Sequence, residues 1–147
     1  MKLKRLMPAL VCACALSTFP LQAQEGLNDP MTRAMMEVYD AELRANPEAY
    51  DIYFRRANEY YKFDQYLRAL SDIDNAIKYA PADDAEMLFQ CYSLRADTYE
   101  MLGKWEEALA DYTKALDYDP TSFMALYQKA NCEYELGRYA DAKVSYN

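Results

Sequence analysis

Residues 103–120 read GKWEEALADYTKALDYDP. Trp105, Ala108, Tyr112 and Ala115 recur at helical spacing, Leu109 and Leu116 stand beside them, and Pro120 closes the run. One face of this helix therefore alternates large rings with alanine. Alanine at fixed places lets a neighbouring backbone come close, and a ring fills the gap next to it. A helix that meets mainly solvent needs neither. The stretch predicts a helix pressed between other helices.

The pattern recurs on both sides. Thirty-four residues on, Gly137, Arg138, Tyr139 and Ala142 stand under Gly103, Lys104, Trp105 and Ala108, and Tyr146 under Tyr112. Thirty-nine residues back, Tyr66, Ala69, Ile73, Ala76 and Pro81 take the places of Trp105, Ala108, Tyr112, Ala115 and Pro120. A second helix is matched upstream of each block. Ala57, Ala96 and Ala130 align there, each preceded by a basic residue (Arg56, Arg95, Lys129). Tyr60 and Tyr99 follow three places later, where the third copy has Glu133.

This arrangement resembles the tetratricopeptide repeat (TPR), a helix–turn–helix of about 34 residues with large and small side chains at set places and a terminal proline. The copies run over about 50–83, 89–122 and 123–147, the last one truncated. The resemblance implies an all-α fold, a right-handed α–α superhelix (TPR solenoid) of stacked antiparallel helix pairs. It also implies that the first helix of each copy lines the concave side. Copies must stack because a single helical hairpin cannot bury its own apolar face.

Local signals fit the same register. Gly103 and Gly137 sit where the first helix must end in a positive-φ residue, and Asp64 holds that place in copy one. The five additional residues 84–88 contain no Pro or Gly, so they are expected to lengthen the next helix by about a turn, capped by Asp83 or Asp84. Met35, Tyr39, Leu43 and Pro47 precede Ala69, Ile73, Ile77 and Pro81 by 34 residues each, which predicts a capping helix over 31–47 ahead of a repeat domain over 48–147. Tyr66, Trp105 and Tyr139 are expected to pack within their own copies, and Arg56, Arg95 and Lys129 to pair with acids of adjacent copies. The chain is expected to be the N-terminal part of a longer protein.

The first 24 residues, MKLKRLMPALVCACALSTFPLQAQ, have a basic start, an apolar run and a polar end with Ala23. This is the form of a secretory signal peptide over 1–23, followed by a linker over 24–30. The apolar run of about 14 residues is short for the roughly 20 of a membrane span, so no insertion is expected once the signal is removed. The ends of this segment resemble those of exported Bacteroidetes proteins, which points to the periplasm of a Gram-negative bacterium. Lipidation at Cys14 and release to the medium are the lesser alternatives. Loss of Lys2, Lys4 and Arg5 takes the 16 basic residues to 13 against 24 acidic ones, a net charge of −11. That field disfavours nucleic acid and suits a neutral or basic partner. Cys91 and Cys132 lie on adjacent first helices about seven residues out of phase, roughly 10 Å along the axis. That exceeds the roughly 7 Å a disulfide tolerates, so both are expected free.

The chain has no His, and its carboxylates spread along solvent faces with no convergent base, nucleophile or phosphate loop. No catalytic residue, metal or cofactor is expected. Counted from the aligned alanines, the groove is predicted at Phe54, Asn58 and Tyr61 in copy one, Asp97, Glu100 and Met101 in copy two, and Tyr127, Asn131 and Tyr134 in copy three. Rings and amides suit an extended peptide, and the acids favour Lys or Arg on it. Some TPR proteins grip the acidic C-terminus of chaperones with a clamp of Lys, Asn and Arg. Here Asn58 alone matches; Phe54, Leu94, Met124 and Gln128 occupy the other places. The function predicted is a protein–protein interaction scaffold that binds a peptide or partner protein in the groove. The alternative is a TPR targeting or regulatory domain of a longer enzyme or sensor whose active part lies beyond residue 147.

Overall fold

A computed structural model describes residues 27–146, which form helices and turns without a strand. The signal peptide predicted over 1–23 lies outside the described residues. The helices are α1 (Pro30–Ala45), α2 (Tyr50–Lys62), α3 (Tyr66–Tyr79), α4 (Ala85–Met101), α5 (Trp105–Tyr118), α6 (Phe123–Glu135) and α7 (Tyr139–Ser145). Each packs on the next, and α2 also touches α4, so first helices of neighbouring copies lie side by side.

The helix ends follow from single residues. Asp29 accepts from the amides of Met31 and Thr32, both at 3.1 Å, ahead of Pro30. Asp84 caps α4 by accepting from Met87 N–H at 3.1 Å. That helix runs 17 residues where α2 and α6 run 13, the additional turn expected from residues 84–88. Inside each copy the first helix ends in the same left-handed turn: φ is 57° at Asp64, 69° at Gly103 and 73° at Gly137. Lys104 N–H returns to Tyr99 C=O at 2.9 Å and Gly103 N–H to Glu100 C=O at 2.8 Å, the paired bonds of a Schellman motif.

The alternation of rings and alanines becomes interhelical packing. Ala57, Ala69, Ala76, Ala96, Ala108, Ala115 and Ala130 are all fully buried. Ile73 and Tyr112 fill the matching large positions, and the cores of copies one and two form around them. Tyr53 stacks on Tyr79 at 6.2 Å and Tyr92 on Tyr118 at 5.8 Å, the same contact one copy apart. Tyr66 meets Tyr61 edge-on at 5.9 Å and Tyr139 meets Tyr134 at 5.2 Å. Tyr139 nevertheless stays 63% exposed, so it covers its own copy without entering a core.

A charged clasp repeats with the helices. Arg56 holds Asp72 with Nε and Nη2, both at 2.7 Å, and reaches Asp40 of α1 with Nη1 at 2.6 Å. Arg95 holds Asp111 at 2.6 and 2.8 Å and reaches Asp74 of the preceding copy at 2.7 Å. Asp40 precedes Asp74 by 34 residues, so α1 supplies the acid that a preceding second helix would supply. The two-pronged partner lies in the arginine's own copy and only the third contact crosses to its neighbour. In copy three Lys129 pairs with Glu133 and bonds Ser145 at 3.0 Å. There the carboxylate has moved to the first helix, because Glu133 stands where the other copies have tyrosine.

Candidate functional site

The first-helix face carries a second polar system, built from copies two and three. Asp97, on α4, accepts from Tyr112 Oη of α5 through Oδ1. One turn on, Glu100 accepts from Cys132 Sγ at 3.1 Å and Gln128 Nε2 at 3.2 Å, both from α6. Asn131 Nδ2 donates to Gln128 Oε1 at 2.9 Å, and Tyr146 Oη donates to Asn131 Oδ1 at 2.6 Å. The chain of contacts thus runs from α4 across α6 to the end of α7.

Burial governs the charges here. It raises the Asp97 carboxyl above its ordinary range, against the opposing bond from Tyr112. Glu100 moves the same way for the same reason, with the Cys132 bond opposing and the Asp97 charge adding. Tyr112 is pushed up strongly by burial and by Asp97. Cys91 and Cys132 are both buried and free, and burial takes the Cys91 thiol up to about 12. Neither is a reactive thiolate at neutral pH.

The structure divides the nine predicted groove residues. Asp97, Glu100 and Asn131 join the network just described. Tyr61 is half-buried against the first core and feels both Asp97 and Glu100, which raise its hydroxyl after burial has done so. Phe54 packs on that core too, and Asn58 turns its amide back to Phe54 C=O at 2.9 Å. Met101, Tyr127 and Tyr134 are 45–56% exposed. The sequence marked Gln128 only as a clamp place and gave Cys132 and Tyr112 no polar role on this face. Gln128 and Cys132 bond from α6 to Glu100; Tyr112 bonds Asp97. Ser93 Oγ is shut off from solvent with no hydrogen-bond partner. Of the clamp places, Leu94 is in the core, Met124 is exposed and Gln128 is engaged with Glu100. Those three and Phe54 bring no cation to the face.

A cavity of about 170 Å³ opens between α4 and α6, lined by Phe89, Ser93, Asp97, Tyr112, Met124 and Gln128 among others. A larger hollow of about 360 Å³ lies at α6 and α7, bounded by Phe123, Leu126, Tyr127, Ser145 and Tyr146. Among the described residues no group of three His, Cys, Asp or Glu side chains could hold a metal ion, and no helix is long and apolar enough to cross a membrane.

Comparison with known proteins agrees with the fold. The tetratricopeptide-repeat profile matches residues 89–122 and, in an overlapping register, 111–144. The mitochondrial import receptor subunit TOM70 of Rattus norvegicus is 32% identical over 81 residues, 55% of this chain and 13% of that protein. Superkiller complex protein 3 of Homo sapiens is 29% identical over 94 residues, 64% of this chain and 6% of that protein. The chain therefore spans a small fraction of these relatives. Among solved structures, a MamA RS-1 double mutant superposes with a TM-score of 0.69 at 22% identity, over 87% of this chain and 69% of its own. The first TPR of Spaghetti (RPAP3), bound to the HSP90 peptide SRMEEVD, superposes at 0.63 with 23% identity, over 82% and 95%.

Proposed function

This chain is a tetratricopeptide-repeat protein, an all-α superhelix, and on that footing we propose that it is an interaction scaffold whose concave, first-helix face receives an extended segment of another protein. One observation carries the reading. Met101, Met124, Tyr127 and Tyr134 stay exposed on first helices, while Ala96, Ala125 and Ala130 of the same helices are sealed. Exposed rings and thioethers beside the amides of Gln128 and Asn131 offer a peptide both contact area and backbone partners. The segment is neutral or basic, since the clamp cations are absent and both carboxylates on this face come from the scaffold.

Export to the periplasm of a Gram-negative bacterium belongs to the same proposal and rests on residues 1–23. N-terminal sequencing of the protein recovered from that compartment would then begin at Gln24. The exposed hollow around Phe123 and Tyr146 favours one further reading, in which the array docks on an enzyme or sensor that it targets or regulates.

Selection of random dodecapeptides displayed on phage against the intact chain tests the main reading. Enriched peptides should lose at least tenfold in affinity when Tyr127 and Tyr134 are both changed to Ala, since exposed aromatic anchors dominate such contacts. Affinity unchanged by the double substitution would reject the face.

A further inference from the structure

We infer that the cavity between α4 and α6 is a subsite for a single lysine or arginine side chain of the bound segment, with Asp97 as its counter-ion. The inference rests on the proposed function and adds what the face selects.

The contrast among withdrawn carboxylates carries it. Asp72, Asp111 and Glu133 are buried, and each is held by a cation of the chain: Arg56, Arg95 and Lys129. Asp97 and Glu100 are half-buried, and no Lys or Arg among the described residues pairs with either. Glu100 has both oxygens occupied, by Cys132 and Gln128. Asp97 has one donor, Tyr112, on Oδ1. A carboxylate taken from water without a counter-charge is costly, and Asp72, Asp111 and Glu133 avoid that cost. Asp97 and Glu100 do not, and of the two only Asp97 keeps an oxygen open.

The cavity supplies the rest of the chemistry. Phe89 and Met124 give apolar walls for a methylene stem. Asp97 and Gln128 line the same space, as does Ser93, whose enclosed hydroxyl has no partner in the chain. A cationic head brings donors that Asp97 can accept. A neutral amide would leave the carboxylate uncompensated. An acidic side chain would add a like charge to Asp97 and Glu100. The space, about 170 Å³, suits one long side chain and excludes a folded element.

The test uses the phage-displayed dodecapeptides and the intact chain. The enriched pool should share Lys or Arg at one register. Titration calorimetry of a selected peptide should show about a tenfold or greater loss when that residue becomes norleucine. Asp97→Asn should cause a similar loss, and the two losses should not add, as for groups in direct contact. Glu106→Gln, on an exposed second-helix position, should leave affinity unchanged. The peptide-side substitution needs no altered protein, so a poorly folded Asp97 variant would not block the test. Peptides that require Tyr127 and Tyr134 but show no basic preference, or that bind Asp97→Asn as well as wild type, would overturn the subsite and leave the scaffold reading standing. Failure to enrich any peptide would overturn both.

Discussion

Asp97 places a carboxylate where the free fold does not favour its charge. Its pKa is raised in the folded chain, chiefly by burial. The folded state therefore binds more protons than the unfolded state between the ordinary value of 3.8 and the raised one. With that sign, its contribution to stability falls as pH rises through the window and is unfavourable at neutral pH. The facing groups are Tyr112 from α5, Glu100 on α4 itself, Tyr61 from α2, and Gln128 and Cys132 from α6. Glu100 shifts in the same direction; the other four remain uncharged through the acid range. Asp97→Asn should accordingly melt at a higher temperature than wild type at pH 7, and the gap should close as the pH drops below 4. Thermal melts by circular dichroism at the two pH values check this. The turn glycines are a second residue-scale case. A Cβ on Gly103 would meet nothing within 4 Å, so Gly103→Ala should cost only the left-handed backbone penalty, about 1–2 kcal/mol, read as a shift in urea midpoint. Such glycines were legible in the sequence because φ is a local property. The Tyr112–Asp97 bond was not, because it depends on how α5 leans on α4.

At the scale of the element, the caps, the longer α4 and the burial of alanines all follow from short-range pattern. The arginine clasp was legible only in part. Recurrence of Arg56 and Arg95 predicted acidic partners, and spacing could not say that Asp72 and Asp111, each 16 residues on, take the two-pronged bond. Those acids sit beside Ile73 and Tyr112 on a mostly apolar face, an anomaly that marks them in retrospect. Copy three shows that the clasp is a compensated unit, since lysine, serine and Glu133 replace arginine, aspartate and tyrosine together. Arg95→Met should leave Asp111 buried and unpaired, at a cost of about 3 kcal/mol in urea denaturation. Changing Asp111→Leu as well should recover most of that loss. A double variant no more stable than Arg95→Met alone would assign the cost to lost packing instead.

Over the whole molecule, stability is shared between neighbours and is uneven. Five residues of α4 are buried, against Leu43 alone in α1 and Ala142 alone in α7. Amide hydrogen exchange should therefore be slowest in α4 and α5 and fastest in α1 and α7. Repeat architecture was readable because every copy restates it. The proposed binding face was readable only as a set of positions. Packing then claimed Phe54 and Asn58, left Met101, Tyr127 and Tyr134 open, and gathered Asp97, Glu100 and Asn131 into a network centred on Gln128, which the sequence had marked only as a clamp place. The claim that this face receives the partner is tested most directly by titrating the isotope-labelled chain with a selected lysine-bearing peptide and following its amide and side-chain NMR signals. The account predicts that shifts concentrate at Ser93, Asp97, Gln128 and Asn131 on α4 and α6. Shifts confined to the second helices α3 and α5, with those four signals unmoved, would contradict it.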